Sequence, residues 1–370
     1  MRRVSWFALL LLTITASATE HPCRGPVWTV DIAVKYGFRP FGVLKHPRNS
    51  PPFQWRTAQG VVFTSPETLA IYQVLERDNL PPLEPRDMSG GGGRYTLRIV
   101  FLDRASGTEL HQLNLTTESS AISGVYPTHD GKFLVLTGQL LRLYSPAFQE
   151  IASRPGPIGQ SGKRDDWHVS VMPSGQRIFA YAGLHIDMPF LLDADTLDTI
   201  PNPTPSDVAL WREGYRIFPE LRGERMGIFS TEGQRLTLDY SSKINSCTFV
   251  FFLVPAHQVE RGGHCKMLRV FSSQGRMVWD VPLRGDVAGF SGGGPLLAAV
   301  FYRYHADPFD LGTQPTPLRI TVYDLNKKAE KCSIHLTEQV FGWWESRYFD
   351  LSSSGSLAVA QQSLLSLYEP

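Results

Sequence analysis

The stretch that decides the fold is Val125 to Ile151, VYPTHDGKFLVLTGQLLRLYSPAFQEI. It holds an apolar run, a tight Asp130-Gly131 reversal and a second apolar run, Phe133 to Leu136. A third run, Leu140 to Tyr144, follows, and a short polar turn leads to Ile151. Asp-Gly tolerates the positive φ that a two-residue hairpin turn requires, and the β-branched and aromatic residues beside it favour pleated strands. Two hairpins in succession make one four-stranded antiparallel unit.

The second half of this unit recurs along the chain. The copies are Leu97 to Leu115, Leu140 to Ile151, Phe190 to Ile200, Met226 to Leu238, Leu268 to Leu283 and Ile320 to Leu336. Leu364 to Tyr368 forms half of a seventh. The residues opening each turn are Asp103, Ser145, Asp193, Ser230, Ser272 and Asp324, and with Tyr368 they are spaced about 44 residues apart on average. The first hairpin is visible at Val125 to Val135, Val169 to Ala180, Val287 to Val300 and Tyr348 to Val359. Helical periodicity is absent after the first eighteen residues, and 27 prolines oppose long helices. A period near 44 with four strands per repeat predicts an all-β chain, a single β-propeller of about seven blades over 19–370. The inner strands of blades four and five, around Val208-Trp211 and Lys243-Ser246, are faint.

Asp130-Gly131-Lys132-Phe133-Leu134 and the Val322-Tyr323-Asp324 type of third strand resemble bacterial exported propellers of the WD40-like and YVTN-like kind. The G-H and W-D dipeptides of eukaryotic WD40 repeats are missing from their places, so the YVTN-like comparison fits better. The resemblance covers the mature chain and is one of fold.

The last copy stops at Pro370 without a fourth strand, while Val27 to Val34 is a strand with no place in the first blade. The N-terminal strand is therefore expected to complete the last blade and remove an exposed edge.

Residues 1–18 read as a signal peptide, with Arg2-Arg3, an apolar Trp6 to Ile14 and the cleavage site Ala16-Ser17-Ala18. Export to the periplasm or the exterior follows, and no later segment is long and apolar enough to predict a transmembrane span. Without those two arginines, Lys and Arg fall from 36 to 34 against 35 Asp and Glu, a formal charge of −1. Nucleic acid is excluded as a partner by that balance. Four cysteines, Cys23, Cys247, Cys265 and Cys332, favour two disulfides in an oxidising compartment. A Cys23–Cys332 bridge is compatible with the closure. For Cys247 with Cys265, antiparallel neighbouring strands 247–254 and 265–272 would hold the two about 20 Å apart. Connectivity stays open. Asn114-Leu115-Thr116 is a glycosylation sequon usable only in a eukaryotic secretory pathway.

Gly289-Phe290-Ser291-Gly292-Gly293 matches the nucleophile elbow G-x-S-x-G, yet it occupies the slot of a hairpin turn and lacks an α/β sheet to hold a triad. Ser89 to Gly93 and Ser161-Gly162-Lys163 lack the Gly-Lys-Ser/Thr and helix of a phosphate loop. Asp165-Asp166-Trp167-His168 offers metal donors, but a solvated turn followed by a packed aromatic is the preferred reading. Trp55, Trp211, Trp343 and Trp344 read as packing between blades. No cofactor is expected.

The function expected is a non-enzymatic binding module for a protein, peptide or glycan on one propeller face. The alternative is a propeller enzyme, lactonase-like or sugar-dehydrogenase-like, with a metal or quinone in its channel. Three connections between second and third strands read as long: Glu76 to Arg94, Pro255 to His264 and Arg303 to Pro317. They would form a crest on one face presenting His257, Glu260, Arg261, His264, His305, Asp307 and Asp310 as ligand-binding residues.

Overall fold

The computed structural model describes residues 21–41, 58–76, 95–117, 123–159, 164–171, 175–182, 190–201, 316–324, 326–336 and 346–370, together with the strands named below between 225 and 303. The N-terminal segment gives β1 (Trp28–Asp31) and a five-residue helix, α1 (Ile32–Tyr36). The first sheet holds β2 (Gln59–Phe63), β3 (Thr68–Glu76), β4 (Tyr95–Asp103) and β5 (Glu109–Thr117). The second holds β6 (Ser123–Pro127), β7 (Phe133–Thr137), β8 (Leu140–Tyr144) and β9 (Glu150–Pro155). The third has β10 (Trp167–Val171), β11 (Arg177–Ala182) and β12 (Phe190–Asp193), with Leu192 bridging to Thr199 where a fourth strand begins. The fourth is the hairpin of β13 (Arg225–Phe229) and β14 (Arg235–Asp239).

The fifth sheet contains β15 (Phe249–Val254), β16 (His257–Gly262), β17 (Met267–Ser272) and β18 (Met277–Pro282). The sixth contains β19 (Asp286–Gly293), β20 (Leu296–Arg303), β21 (Thr316–Asp324) and β22 (Ala329–His335). The short β23 (Ser346–Arg347) joins the first sheet parallel to β2. The seventh is β24 (Phe349–Leu351), β25 (Leu357–Gln361), β26 (Leu364–Tyr368) and, last in order, β1. Apart from β23, every strand pair in these sheets is antiparallel between sequence neighbours or, for β1 and β26, between the two ends of the chain.

The turns form for identifiable reasons. Where the third strand ends, Asp103, Asp193 and Asp324 accept backbone N–H bonds from Ser106 (2.8 Å), Thr196 (3.1 Å) and Lys327 (2.9 Å). Ser145 does the same for Gln149 at 3.1 Å. A residue with positive φ then reverses the chain: Gly107 at 68°, Phe148 and Leu197 at 62°, and Lys328 at 54°. The ladder shifts register by one residue just beyond, between Phe101 and Leu102, Leu143 and Tyr144, and Val322 and Tyr323. Such bulges increase strand twist. They leave Leu110 and Ile151 unpaired and about half exposed.

Packing between sheets fixes their order. One apolar core joins Ala298, Val300 and Val322 of the sixth sheet to Val359 and Leu365 of the seventh and to Val61, Ile71 and Val100 of the first. A second joins Ile99 and Phe101 to Val125, Phe133 and Val135 of the second sheet, and a third joins Leu134 and Leu143 to Ile178 and Leu192 of the third. Phe101, Phe133 and Phe148 have ring centroids 4.7–6.3 Å apart, and His111 stacks on Phe148. The first sheet is thus packed between the seventh and the second. Fully burying each such side chain contributes roughly 1.5–3 kcal/mol.

The expected pairing of the N-terminal strand with the last sheet is present: Trp28, Thr29, Val30 and Asp31 pair with Leu367, Ser366, Leu365 and Leu364. Ile32 to Val34, expected to continue that strand, instead open α1 because Asp31 caps them. Cys23 is disulfide-bonded to Cys332 across 309 residues of sequence, a loop whose closure stabilises by roughly 5–6 kcal/mol on chain-entropy grounds.

Three further expectations need correction. Residues 257–262 are not loop but the strand β16, paired on both sides, so His257, Glu260 and Arg261 lie in a ladder. Only Val259 marks that strand as apolar, which is why its sequence reads as a loop. Consequently β15 and β17 are parallel strands flanking β16, and the antiparallel premise that held Cys247 and Cys265 far apart does not apply. Finally, Gly289 to Gly293 lies within β19, with Ser291 opposite Ala298, rather than in a hairpin turn; it is still no strand-to-helix elbow. Cys247, Cys265, Val208-Trp211 and Lys243-Ser246 lie outside the described residues, as do residues 1–18, Ser89 to Gly93, Ser161-Gly162-Lys163 and the four tryptophans named above.

Candidate functional site

The two ends of the sheets differ. At one end lie the turns from first to second and from third to fourth strands, and among the described residues two groups of them are tied across sheets. Arg104, in the β4–β5 turn, donates from Nη1 to Ser356 Oγ (2.9 Å) and Glu369 Oε1 (3.1 Å) of the seventh sheet, and from Nη2 to Glu67 Oε2 (3.4 Å). Its carbonyl accepts from Trp28 Nε1 at 2.8 Å. Gly107 is required there: its φ is 68°, and a Cβ would come within 2.7 Å of the Trp28 ring.

Between the second and third sheets, His129 N–H donates to the Gly175 carbonyl at 3.3 Å. Gly175 has φ 72°, and a Cβ there would meet His129 N at 2.4 Å. His129 Nε2 lies 3.0 Å from Asp195 Oδ1, its Nδ1 lies 2.9 Å from Asp130 Oδ2, and Lys132 Nζ pairs with Asp195. The Lys132 hydrogen bond, aided by the charge of His129, holds the Asp195 carboxyl below its ordinary range. Asp103 is held low chiefly by the Ser106 hydroxyl. The Tyr144 phenol is pushed up by burial and by Glu150, and that of Tyr368 by burial.

The opposite end carries the connections from second to third strands and the continuation of the N-terminal segment. Asp31 caps α1, accepting from Ala33 and Val34 N–H at 3.0 Å each, and Gly37 ends the helix in the left-handed region. Ile32 N–H and Phe41 N–H then bond the Ser363 and Gln362 carbonyls in the β25–β26 turn, each at 2.7 Å. On the first sheet, buried Gln73 clasps Arg39: its Oε1 accepts the Arg39 N–H at 2.7 Å and its Nε2 donates to the Arg39 carbonyl at 3.1 Å. Arg98 Nη1 donates to the Tyr36 carbonyl. Ile32, Phe38 and Phe41 are buried, whereas Val34 is 86% exposed. Residues 31–41 therefore cross from the seventh sheet to the first over this end. The sequence gives no local signal for that crossing, because Gln73 and Arg98 read as ordinary strand residues.

The sequence-derived site residues are divided. His257, Glu260 and Arg261 sit on β16, at its two ends and middle, while His264, His305, Asp307 and Asp310 lie outside the described residues. Asp165-Asp166-Trp167-His168 opens β10, where Trp167 is buried beneath the Arg154 guanidinium, 5.9 Å from the ring centroid, as the packing reading expects. Among the described residues no group of three or more His, Cys, Asp or Glu side chains is placed to hold a metal ion, and no helix is long and apolar enough to cross a membrane.

No family model and no curated protein matches the chain. Among solved structures, a chain in the crystal structure of the mitotic checkpoint complex is similar at 14% identity, covering 99% of each chain with a TM-score of 0.47. The β-propeller domain of Cps50 (Swd1) from Myceliophteria thermophila is similar at 9% identity, covering 85% of this chain and 96% of that one, with a TM-score of 0.36.

Proposed function

We propose that the chain is an exported seven-bladed β-propeller acting as a recognition module, which binds a protein, peptide or glycan on the face carrying the second-to-third strand connections. The observation that carries this reading is the asymmetry between the two ends of the sheets. One end is sealed by turns of a few residues cross-linked by Arg104, His129 and Asp195. At the other, residues 77–94 separate β3 from β4, residues 304–315 separate β20 from β21, and residues 31–41 lie between. Long connections on a rigid scaffold are where recognition is built.

The ring is supported by the packing of the sixth, seventh, first, second and third sheets in succession, and by β1 completing the seventh. Export is supported by the N-terminal sequence and by a disulfide that suits an oxidising compartment.

The test replaces 77–94, and separately 304–315, by an Asn-Gly turn and measures capture of the partner that the intact chain retains from its native envelope or culture fluid. Each replacement should abolish capture while leaving the melting temperature within a few degrees. Undiminished capture by both variants would refute the assignment of the face, and a stoichiometric metal or quinone in the purified protein would refute the non-enzymatic reading.

A further inference from the structure

Residues 21–41 touch three successive sheets, but unequally. Against the seventh they form the β1–β26 ladder, and against the first they contribute the Trp28 to Arg104 and Gln73 to Arg39 hydrogen bonds. Against the sixth, two backbone bonds are made: Cys23 N–H donates to the Ser333 carbonyl at 2.9 Å, and Ser333 N–H donates to the His21 carbonyl at 2.8 Å. They lay Pro22 parallel to Ser333 on the outer edge of β22, as an added strand of minimal length. The exposed Arg24-Gly25-Pro26 separates this contact from β1. What holds the contact is covalent, the Cys23–Cys332 bond.

We propose that this disulfide is a thiol-operated latch: closed, it keeps His21 to Cys23 on the β22 edge, and reduced, it lets that segment leave the edge while β1 stays in place. Two backbone bonds beyond an exposed Arg24-Gly25-Pro26 linker hold an extended segment only weakly against its own conformational entropy, whereas a covalent tether returns it each time it leaves.

The two sulfurs differ in access. Cys332 is 5% exposed, while Cys23 is only partly buried, so Cys23 is the half of the bond at which attack is assigned. A thiolate of a dithiol reductant attacks Cys23 Sγ, the S–S bond breaks, and Cys332 leaves as a thiolate that takes up a proton. The reductant's second thiolate then attacks the mixed disulfide and releases Cys23. Two electrons and two protons pass to the protein, and the dithiol ends as a disulfide.

The experiment is hydrogen exchange on the full chain, purified without reductant and compared before and after dithiothreitol. Peptide mapping first establishes the linked Cys23–Cys332 pair; its absence from the unreduced protein overturns the proposal. On reduction the amides of Cys23 and Ser333 should exchange at least about tenfold faster, while β1 and β26 keep their protection, and reoxidation should reverse the change. A Cys23→Ala/Cys332→Ala variant should show the reduced pattern without reductant. Unchanged exchange at Ser333, or loss of protection at β1 and β26 together with it, would show that the bond is a passive staple and not a latch.

Discussion

Arg104 of the first sheet and Glu369 of the last lie 3.1 Å apart, so a residue near the start of the repeat and one a single position from the chain's end share an ion pair. The same guanidinium group reaches fully buried Ser356, and its backbone carbonyl receives the Trp28 indole N–H. First sheet, last sheet and N-terminal strand meet at one residue.

A double-mutant cycle measures that junction. Arg104→Ala should cost roughly 1–3 kcal/mol in urea unfolding, because it removes the guanidinium bonds to the buried Ser356 hydroxyl, to Glu369 and to Glu67. Glu369 is half exposed, so Glu369→Gln should cost less, and the coupling between the two should be about 0.5–1 kcal/mol. Strict additivity would mean that the pair does not bridge the sheets.

The turns supply a second measurement. Lys328 has φ 54° and is exposed, so Lys328→Gly relieves a left-handed backbone without removing a packed side chain. It should raise stability by about 0.5–1 kcal/mol, the relief being partly offset by the greater freedom of glycine in the unfolded chain. Leu197→Gly relieves a similar φ but removes a side chain that is 2% exposed, and should destabilise the protein. Equal effects at the two positions would contradict the description of these turns.

Asp195 gives a pH signature. Its carboxyl is held low chiefly by Lys132, so its contribution is present above the unfolded carboxyl range near 3.9 and is lost as pH falls through the lower folded value. The difference in melting temperature between the native chain and Asp195→Asn should therefore be present at about pH 5 and shrink below about pH 4. A difference that grew as pH fell below about 4 would have the wrong sign.

How much of this was legible depended on whether a residue acts locally. Asp130-Gly131 and the turn-opening Asp103, Ser145, Asp193 and Asp324 reveal strand ends because turn chemistry is confined to a few neighbours. Val27 to Val34 reads as a strand with no place in the first sheet, and its half Trp28 to Asp31 is the part that pairs, with β26. By contrast, β16 reads as loop because His257 to Gly262 offers only one apolar side chain to the strand pattern. Phe148, Leu197 and Lys328 adopt positive φ without being Gly or Asn, so composition cannot flag them. The path of residues 31–41 was invisible because Gln73 and Arg98 capture backbone groups 34 and 62 positions away.

The most direct test is of the claim that the first strand completes the last sheet. Thr29 Oγ1 and Ser366 Oγ lie 2.9 Å apart across the β1–β26 ladder. In a Thr29→Cys/Ser366→Cys variant, oxidation and peptide mapping should recover a disulfide between these two positions in high yield, whereas a one-residue offset, Thr29→Cys/Leu367→Cys, should cross-link poorly, because neighbouring strand residues face opposite sides of a sheet. Failure of the Thr29–Ser366 link to form, or equal yields from both variants, would contradict the pairing and with it the completion of the last sheet by β1.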